Sequence, residues 1–463
     1  MTTQLDVPRT GSIYYPGDDG FETARVGRVF NRRRPDRQPA AVLVAQTEDD
    51  VIHGVRLAKM NGWSVAVRSG GHSWAAWSVQ AGTLLIDLGQ LQGMGYDEAT
   101  GVVWANPAVK GGDTLSPWLE SQGKFFNGGH CPSVGIGGFL LQGGQGWCQR
   151  GWGWAAESVV GVDVVTADGE KVHANEQENP DLYWAARGAG PSFPGIVTRF
   201  YLRTRPMFGF LGHTVQVYDL ADFDEVMTWM YEIHHTISPD VEIVVVSTTL
   251  PAEPGQDPVR RLLVTGVAMT DTEEQAREAL APFNTCPVLD RALAVQDCRP
   301  SSLAEQRQEQ ERQNPEHARY RVDSLWAEGE PGKVIQHIKP MFTELPTPGS
   351  FTIWFSNGPV RELPDMAFSL QTEAYIASYI VYDEAGKDDH YRDVLNRLTT
   401  YAQPVTAGQY LGDSDMTNRQ VKFMADENFA RLQDIIARRD PDGRFVRYLA
   451  QDAKTVNRHH WEL

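Results

Sequence analysis

Between Gly128 and Gly153 the chain reads G-G-H-C-P-S-V-G-I-G-G-F-L-L-Q-G-G-Q-G-W-C-Q-R-G-W-G, ten glycines in twenty-six residues. Each glycine costs about 1 kcal/mol against alanine inside a helix, so this composition speaks against a stable helix. Val134, Ile136, Phe139, Leu140, Leu141 and Trp147 are interleaved with the glycines, which speaks equally against a flexible linker. A glycine-rich backbone that is also packed implies close approach to something large and flat, or to phosphate oxygens that bare N–H groups can bind. One thiol, Cys131, sits in the middle, beside Pro132. Earlier, Arg68-Ser69-Gly70-Gly71-His72-Ser73 leaves an apolar run in a second glycine turn.

The remaining composition limits what these turns can serve. A chain of 463 residues has room for about two or three domains. Its net charge of -18 argues against a nucleic-acid or anionic-membrane partner and reads most simply as a device for solubility. No apolar run is long enough to span a bilayer. The start, Met-Thr-Thr-Gln-Leu-Asp, lacks the basic and apolar regions of a secretory leader, so the expectation is a cytoplasmic protein. Cys131, Cys148, Cys286 and Cys298 show no C-x-x-C spacing, which disfavours a zinc ribbon or a disulfide framework.

In chain order, Ala41–Ala45 reads as a strand, and Thr47 with Asp50 as a capping box opening a helix that buries Val51, Ile52, Val55 and Ala58. Val65–Val67 is a strand delivering the first glycine turn. Thr83–Leu88 and Val102–Ala105 read as strands, and about Asp113 to Gln122 as a helix. Beyond the glycine-rich stretch come the strand Val159–Thr166 with an Ala167-Asp168-Gly169 turn, a short helix from Asn179, and the strand Ile196–Arg203. After Pro206 the glycine turns thin out. Strands near 241–248, 262–269, 351–355 and 374–382 alternate with helices such as 271–281, as in a second α+β unit. The charged run 305–319 reads as a solvated helix or loop. In the strand readings Tyr375 and Tyr379 share one face, and Phe351, Ile353 and Phe355 lie opposite Trp354.

Common catalytic signatures are missing: there is no G-x-G-x-x-G, Walker A, G-x-S-x-G or H-E-x-x-H. The adjacent pairs His234-His235 and His459-His460 point different ways on a helix, so no metal site is expected. What remains is glycine turns around one histidine and one cysteine, either of which alone reads equally well as structural.

Taken together, R-S-G-G-H-S, G-G-H-C-P-S-V-G-I-G-G-x-x-x-x-G-G-x-G, V-D-V-V-T-A-D-G and N-P-D-L-Y-W-A-A-R-G-A-G resemble the berberine bridge enzyme-like group of FAD-linked oxidases, in the vanillyl-alcohol oxidase superfamily. The likeness is dense over residues 11–205 and loose over the last sixty. It implies an α+β fold: a PCMH-type FAD-binding domain of two α+β subdomains (1–205), a substrate domain with an antiparallel sheet covered by helices (206–402), and a C-terminal segment (403–463) returning to the first domain. It implies FAD held by two covalent bonds, from His72 to the 8α-methyl and from Cys131 to carbon 6. Arg68, Ser69, Gly70, Gly71 and Ser73, with Val134, Gly135, Gly137, Gly138, Gly143, Gly144 and Gly146, would line the pyrophosphate and ring. Ile196 and Val197 would add backbone contacts. Val134 falls where the group sets oxygen access, and its small size resembles the oxidases, so dioxygen is the expected acceptor and hydrogen peroxide the product.

Near the C-terminus the group often carries Y-x-N-Y, its last tyrosine catalytic in several members. Here the run is Tyr410-Leu411-Gly412-Asp413. Asp413 is the expected replacement base, since a carboxylate in an apolar flavin site has a raised pKa. Tyr410 and Tyr375 are further candidates, and a turn aspartate is the plain alternative. The expected substrate is a small-molecule alcohol, phenol or amine of secondary-metabolite type. The alternatives are oxidation at C1 of a mono- or oligosaccharide, and a flavoprotein performing non-redox cyclisation. Oligomeric state is not legible.

Overall fold

The computed structural model describes residues 10–251, 257–416, 418–419 and 421–447; His459-His460 and the extreme N-terminus lie outside them. Three main sheets organise the chain. The first orders Ser12–Tyr14, Ala41–Val44, Leu84–Asp87 and Val65–Arg68 side by side; the last three are parallel. The helix Glu48–Asn61 crosses between two of its strands. Its start is as expected: Thr47 accepts from the Asp50 N–H, and the Asp50 carboxylate accepts from the Thr47 N–H. The second sheet is an antiparallel run of Met94–Asp97, Val102–Ala105, Ile196–Arg203, Val159–Val165 and Lys171–Ala174.

The third sheet has eight antiparallel strands, in the order Ala294–Pro300, Phe210–Tyr218, Val259–Thr270, Val241–Leu250, Phe351–Ser356, Ala374–Tyr382, Arg319–Ala327 and Thr406–Gly408. Strand alternation divides its side chains between two environments. Val241, Ile243, Val245, Trp354 and Ile376 pack under the helices Phe223–Ile233, Pro331–Thr343 and Asp388–Tyr401. Their neighbours in sequence, among them Val244, Val246, Ile353 and Phe355, turn to the other face and line a cavity. The helix Asp426–Arg439 then buries Phe429, Leu432, Ile435 and Ile436 in the core that also holds Leu182, Trp184 and Phe200. Arg439 pairs with Asp181 at 2.6 Å. The α+β architecture is that of the expected class. No helix among the described residues is long and apolar enough to cross a membrane.

Two local expectations are corrected and a third is made more definite. The glycine-rich stretch does contain a short helix, Ile136–Leu141. It is under two turns long and buries Ile136 and Leu140, and a Cβ on Gly137 would stand 2.7 Å from Pro107 and 2.8 Å from Ser69. Packing against the first glycine turn therefore outweighs helix propensity. The helix expected over 113–122 is split into a wide turn, Gly111–Leu115, and an α segment, Ser116–Glu120, because Pro117 has no N–H to carry the wide ladder on. The charged run is a largely exposed helix, Leu303–Gln313, as expected, and a strand begins at Arg319. Gln306, Glu309, Gln310 and Gln313, at helical spacing, border the cavity, with Glu309 also exposed to solvent.

Candidate active site

The two glycine turns touch. A Cβ on Gly70 would lie 2.6 Å from the Gly135 nitrogen, and one on Gly135 would lie 2.8 Å from the Gly70 Cα. Neither position tolerates a side chain without moving main chain, so these glycines bring two backbones into contact. Gly71 adds a positive φ of 84°. Together the turns form one wall of a cavity of about 890 Å³, large for a small-molecule site. Ser69, Ser73, Val134, Gly138, Ile196 and Val197 also line it.

Four expected cofactor contacts turn out differently. The Arg68 guanidinium points away from the cavity, donating to Asp87 Oδ2 at 2.5 and 2.9 Å and to the Arg25 carbonyl at 2.6 Å. Buried there, it is a structural ion pair, and only its stretch of backbone borders the cavity. Gly143, Gly144 and Gly146 face protein. A Cβ would meet Phe368 at 2.7 Å from Gly143, Ala155 at 2.8 Å from Gly144, and the Asn127–Gly128 main chain from Gly146. Their smallness serves internal packing.

His72 and Cys131 meet at the Ser133 hydroxyl. The Ser133 hydroxyl lies 3.1 Å from His72 Nε2 and 3.8 Å from Cys131 Sγ. Phe30 stacks on the His72 ring at 4.3 Å between centroids. Burial, reinforced by the Lys110 and Arg28 charges, pulls the imidazole down to about 4, so it is neutral with a free lone pair at physiological pH. Burial pushes the Cys131 thiol up to about 11, with Ser133 opposing the shift. Of the four cysteines, Cys131 alone lines the cavity.

Across the cavity the chain makes a tight turn, Leu411–Asp413, that presents Asp413. Tyr375 donates to its Oδ2 at 2.8 Å, and the Trp74 indole donates to its Oδ1 at 3.2 Å. Burial raises the carboxyl above the usual carboxylate range, while these donors and Tyr379 hold it partly back. Tyr410 also lines the cavity. Its hydroxyl oxygen accepts from the Gly144 and Gln145 N–H groups at 3.2 Å each, and burial drives its ionisation further up. Tyr410 thereby ties the Asp413 turn to the glycine stretch. Tyr375 reaches the site only through Asp413.

Sequence reasoning missed Trp74, His130 and Glu242. Both Glu242 carboxylate oxygens lie 2.9 Å from His130 Nε2, beside the Trp147 ring. The signals were faint: a histidine next to Cys131, and one carboxylate in an otherwise uncharged strand. The far wall is formed mainly by Val244, Val246, Leu263, Phe351, Ile353 and Phe355.

The site suits a dinucleotide with a flat ring. The glycine wall offers close backbone approach, and the buried Gln145 Nε2 is left without a hydrogen-bond partner. A neutral imidazole and a thiol stand together at one end.

Comparison with known proteins points to the same class of cofactor. Residues 39–175 match the FAD binding domain family. The FAD-linked oxidoreductase ptmO of Penicillium ochrochloron is 36% identical over 424 residues, 91% of this chain and 92% of that protein. The wild-type BBE-like 1 protein of Physcomitrella patens superposes with a TM-score of 0.82 at 18% identity, covering 96% of this chain and 97% of that one. Glucooligosaccharide oxidase from Acremonium strictum, described with a 6-S-cysteinyl, 8α-N1-histidyl FAD, superposes with a TM-score of 0.81 at 20% identity, covering 95% and 96%.

Proposed function

This chain belongs to the FAD-linked oxidoreductases and has the fold of the berberine bridge enzyme-like proteins, and on that premise we propose that it is an oxidase of a small, largely apolar alcohol, phenol or amine, with its FAD covalently bound to His72 and Cys131. Bound there, FAD supplies a two-electron acceptor that passes its electrons to dioxygen and so yields hydrogen peroxide. Ser133 engages His72 Nε2, which leaves Nδ1 as the nitrogen for attachment. Cys131 would supply the sulfur of the second attachment, and two tethers would hold the ring in a wide site.

Asp413 is the base in this reading. As a substrate C–H gives up its hydride, the O–H or N–H proton passes to Asp413, and the carbon–oxygen or carbon–nitrogen double bond forms. Trp74 and Tyr375 occupy one lone pair on each carboxylate oxygen and fix its orientation. The apolar wall of Val244, Val246, Leu263, Phe351, Ile353 and Phe355 excludes water and orients a hydrocarbon or aromatic body. Val134 at the cavity leaves room for dioxygen.

The observation that carries the reading is Asp413, a carboxyl raised by burial, on the same cavity as His72 and Cys131. A saccharide is the second reading, favoured by the polar face of Gln306, Glu309, Gln310 and Gln313 at the cavity. Both substrate sets are to be offered anaerobically while the yellow flavin absorbance is followed, then again in air with peroxide detection. Bleaching and peroxide with apolar alcohols, phenols or amines are expected. Turnover of saccharides alone would select the second reading. Turnover without bleaching would select non-redox cyclisation.

A further inference from the structure

Outside the cavity, the end of the helix Phe223–Ile233 carries His234 and His235, which adjacency in sequence would splay apart. The structure instead brings them together. The chain leaves the helix in a turn, and the two rings lie 3.9 Å apart between centroids. Glu373, the residue before the strand Ala374–Tyr382, joins them, its Oε2 3.4 Å from His235 Nε2. One ring nitrogen from each histidine and one Glu373 oxygen all lie within 4.8 Å of one another.

One of these spacings already matches that of zinc ligands. Two atoms each about 2.0–2.1 Å from a tetrahedral zinc stand about 3.3 Å apart, close to the His235–Glu373 separation. His234 is fully buried and oriented from behind: its Nδ1 lies 2.9 Å from the Ser356 hydroxyl, the kind of second contact that fixes a liganding imidazole. Its Nε2 is buried with no hydrogen-bond partner, a cost a bound cation would remove. A Cβ on Gly358 would stand 2.7 Å from the His234 ring, so the backbone also clamps it. Arg150 anchors the surroundings, donating to the carbonyls of His234 and Gly358 at 2.9 Å each. His235 and Glu373 are 41% and 48% exposed in their side chains, which gives an ion access.

We propose that His234, His235 and Glu373 bind one divalent cation of the zinc type, with a fourth position open to water. The ion would fasten the helix end to the strands Phe351–Ser356 and Ala374–Tyr382, which carry Phe355 and Tyr379 into the cavity lining. Its role is structural, because the cluster lies outside the lining of the cavity.

The test uses the full, untagged, flavin-loaded protein, stripped with chelator and titrated calorimetrically with Zn2+. One saturable site is expected, and Zn2+ should raise the melting temperature. His235→Ala and Glu373→Gln, both at exposed positions, should each lower affinity at least about tenfold and abolish the thermal shift, with flavin content unchanged. No saturable binding to the wild type would overturn the proposal. So would binding that neither substitution weakens, since the ion would then sit elsewhere, for example on a free thiol.

Discussion

Replacing Tyr375 by phenylalanine removes one hydroxyl from a fully buried ring and one hydrogen bond, the 2.8 Å donation to Asp413 Oδ2. The ring still packs against Trp326 and Tyr410, so the fold should survive. The lost bond favours the charged carboxylate, so its loss moves the Asp413 pKa further up. Hydrogen bonds to charged groups are worth about 1.5–3 kcal/mol, and about 1.4 kcal/mol corresponds to one pKa unit. The acid limb of kcat/KM for Tyr375→Phe should therefore move to higher pH by about 1–2 units. Asp413 acts as a base only when deprotonated, so the high-pH plateau should remain close to wild type. The assay is anaerobic flavin reduction by substrate across pH, on protein whose flavin content has been measured. An acid limb that stays in place would refute the assignment of Asp413. Loss of the plateau with flavin fully bound would mean that Tyr375 itself takes the proton.

Asp413→Asn keeps an acceptor for Trp74 but cannot take a proton, so flavin reduction should slow by roughly 10²–10⁴-fold with the covalent flavin retained. Val134→Leu adds a methylene group to the cavity wall beside Cys131; reoxidation by dioxygen should slow severalfold while the rate of flavin reduction by substrate holds, read by double-mixing stopped flow. Asp50 caps the helix Glu48–Asn61 and accepts from the Thr10, Gly11, Gln46 and Thr47 N–H groups, which pull its carboxyl down to about 2 from 3.8 despite burial. A depressed folded pKa gives stability that is complete above the unfolded value and fades as pH falls through the folded one. Asp50→Ala should therefore cost about 0.5–2 kcal/mol at pH 7, by denaturant melts, with the gap closing between pH 4 and pH 2.

What the sequence made legible was local. His72 and Cys131 stand in short blocks whose residues are close in the chain, and the Thr47–Asp50 cap is a four-residue signal. The Asp413 environment was only half legible. The residue could be picked out, but its bond to Trp74 spans 339 positions, and no periodicity encodes such a contact. Glycines posed the opposite difficulty. Gly70 and Gly135 at the cavity look in sequence like Gly143, Gly144 and Gly146, which are small to admit Phe368, Ala155 and the 127–128 backbone. Arg68 looked like an anion binder because it precedes a glycine turn, yet Asp87 on the adjacent strand claims it. The His234–His235 pair was misjudged because ideal helix geometry was assumed just where the helix ends.

The central claim is the covalent flavin at His72 and Cys131, and it is tested most directly by denaturing the purified protein in acid, measuring intact mass and mapping the yellow peptides. The account predicts a yellow precipitate carrying the mass of one FAD, with a flavin cross-linking the peptides of His72 and Cys131, and no bound flavin in the double His72→Ala/Cys131→Ala variant after denaturation. Protein of unmodified mass with all the flavin in the supernatant, or a covalent flavin that survives that double substitution, would contradict it.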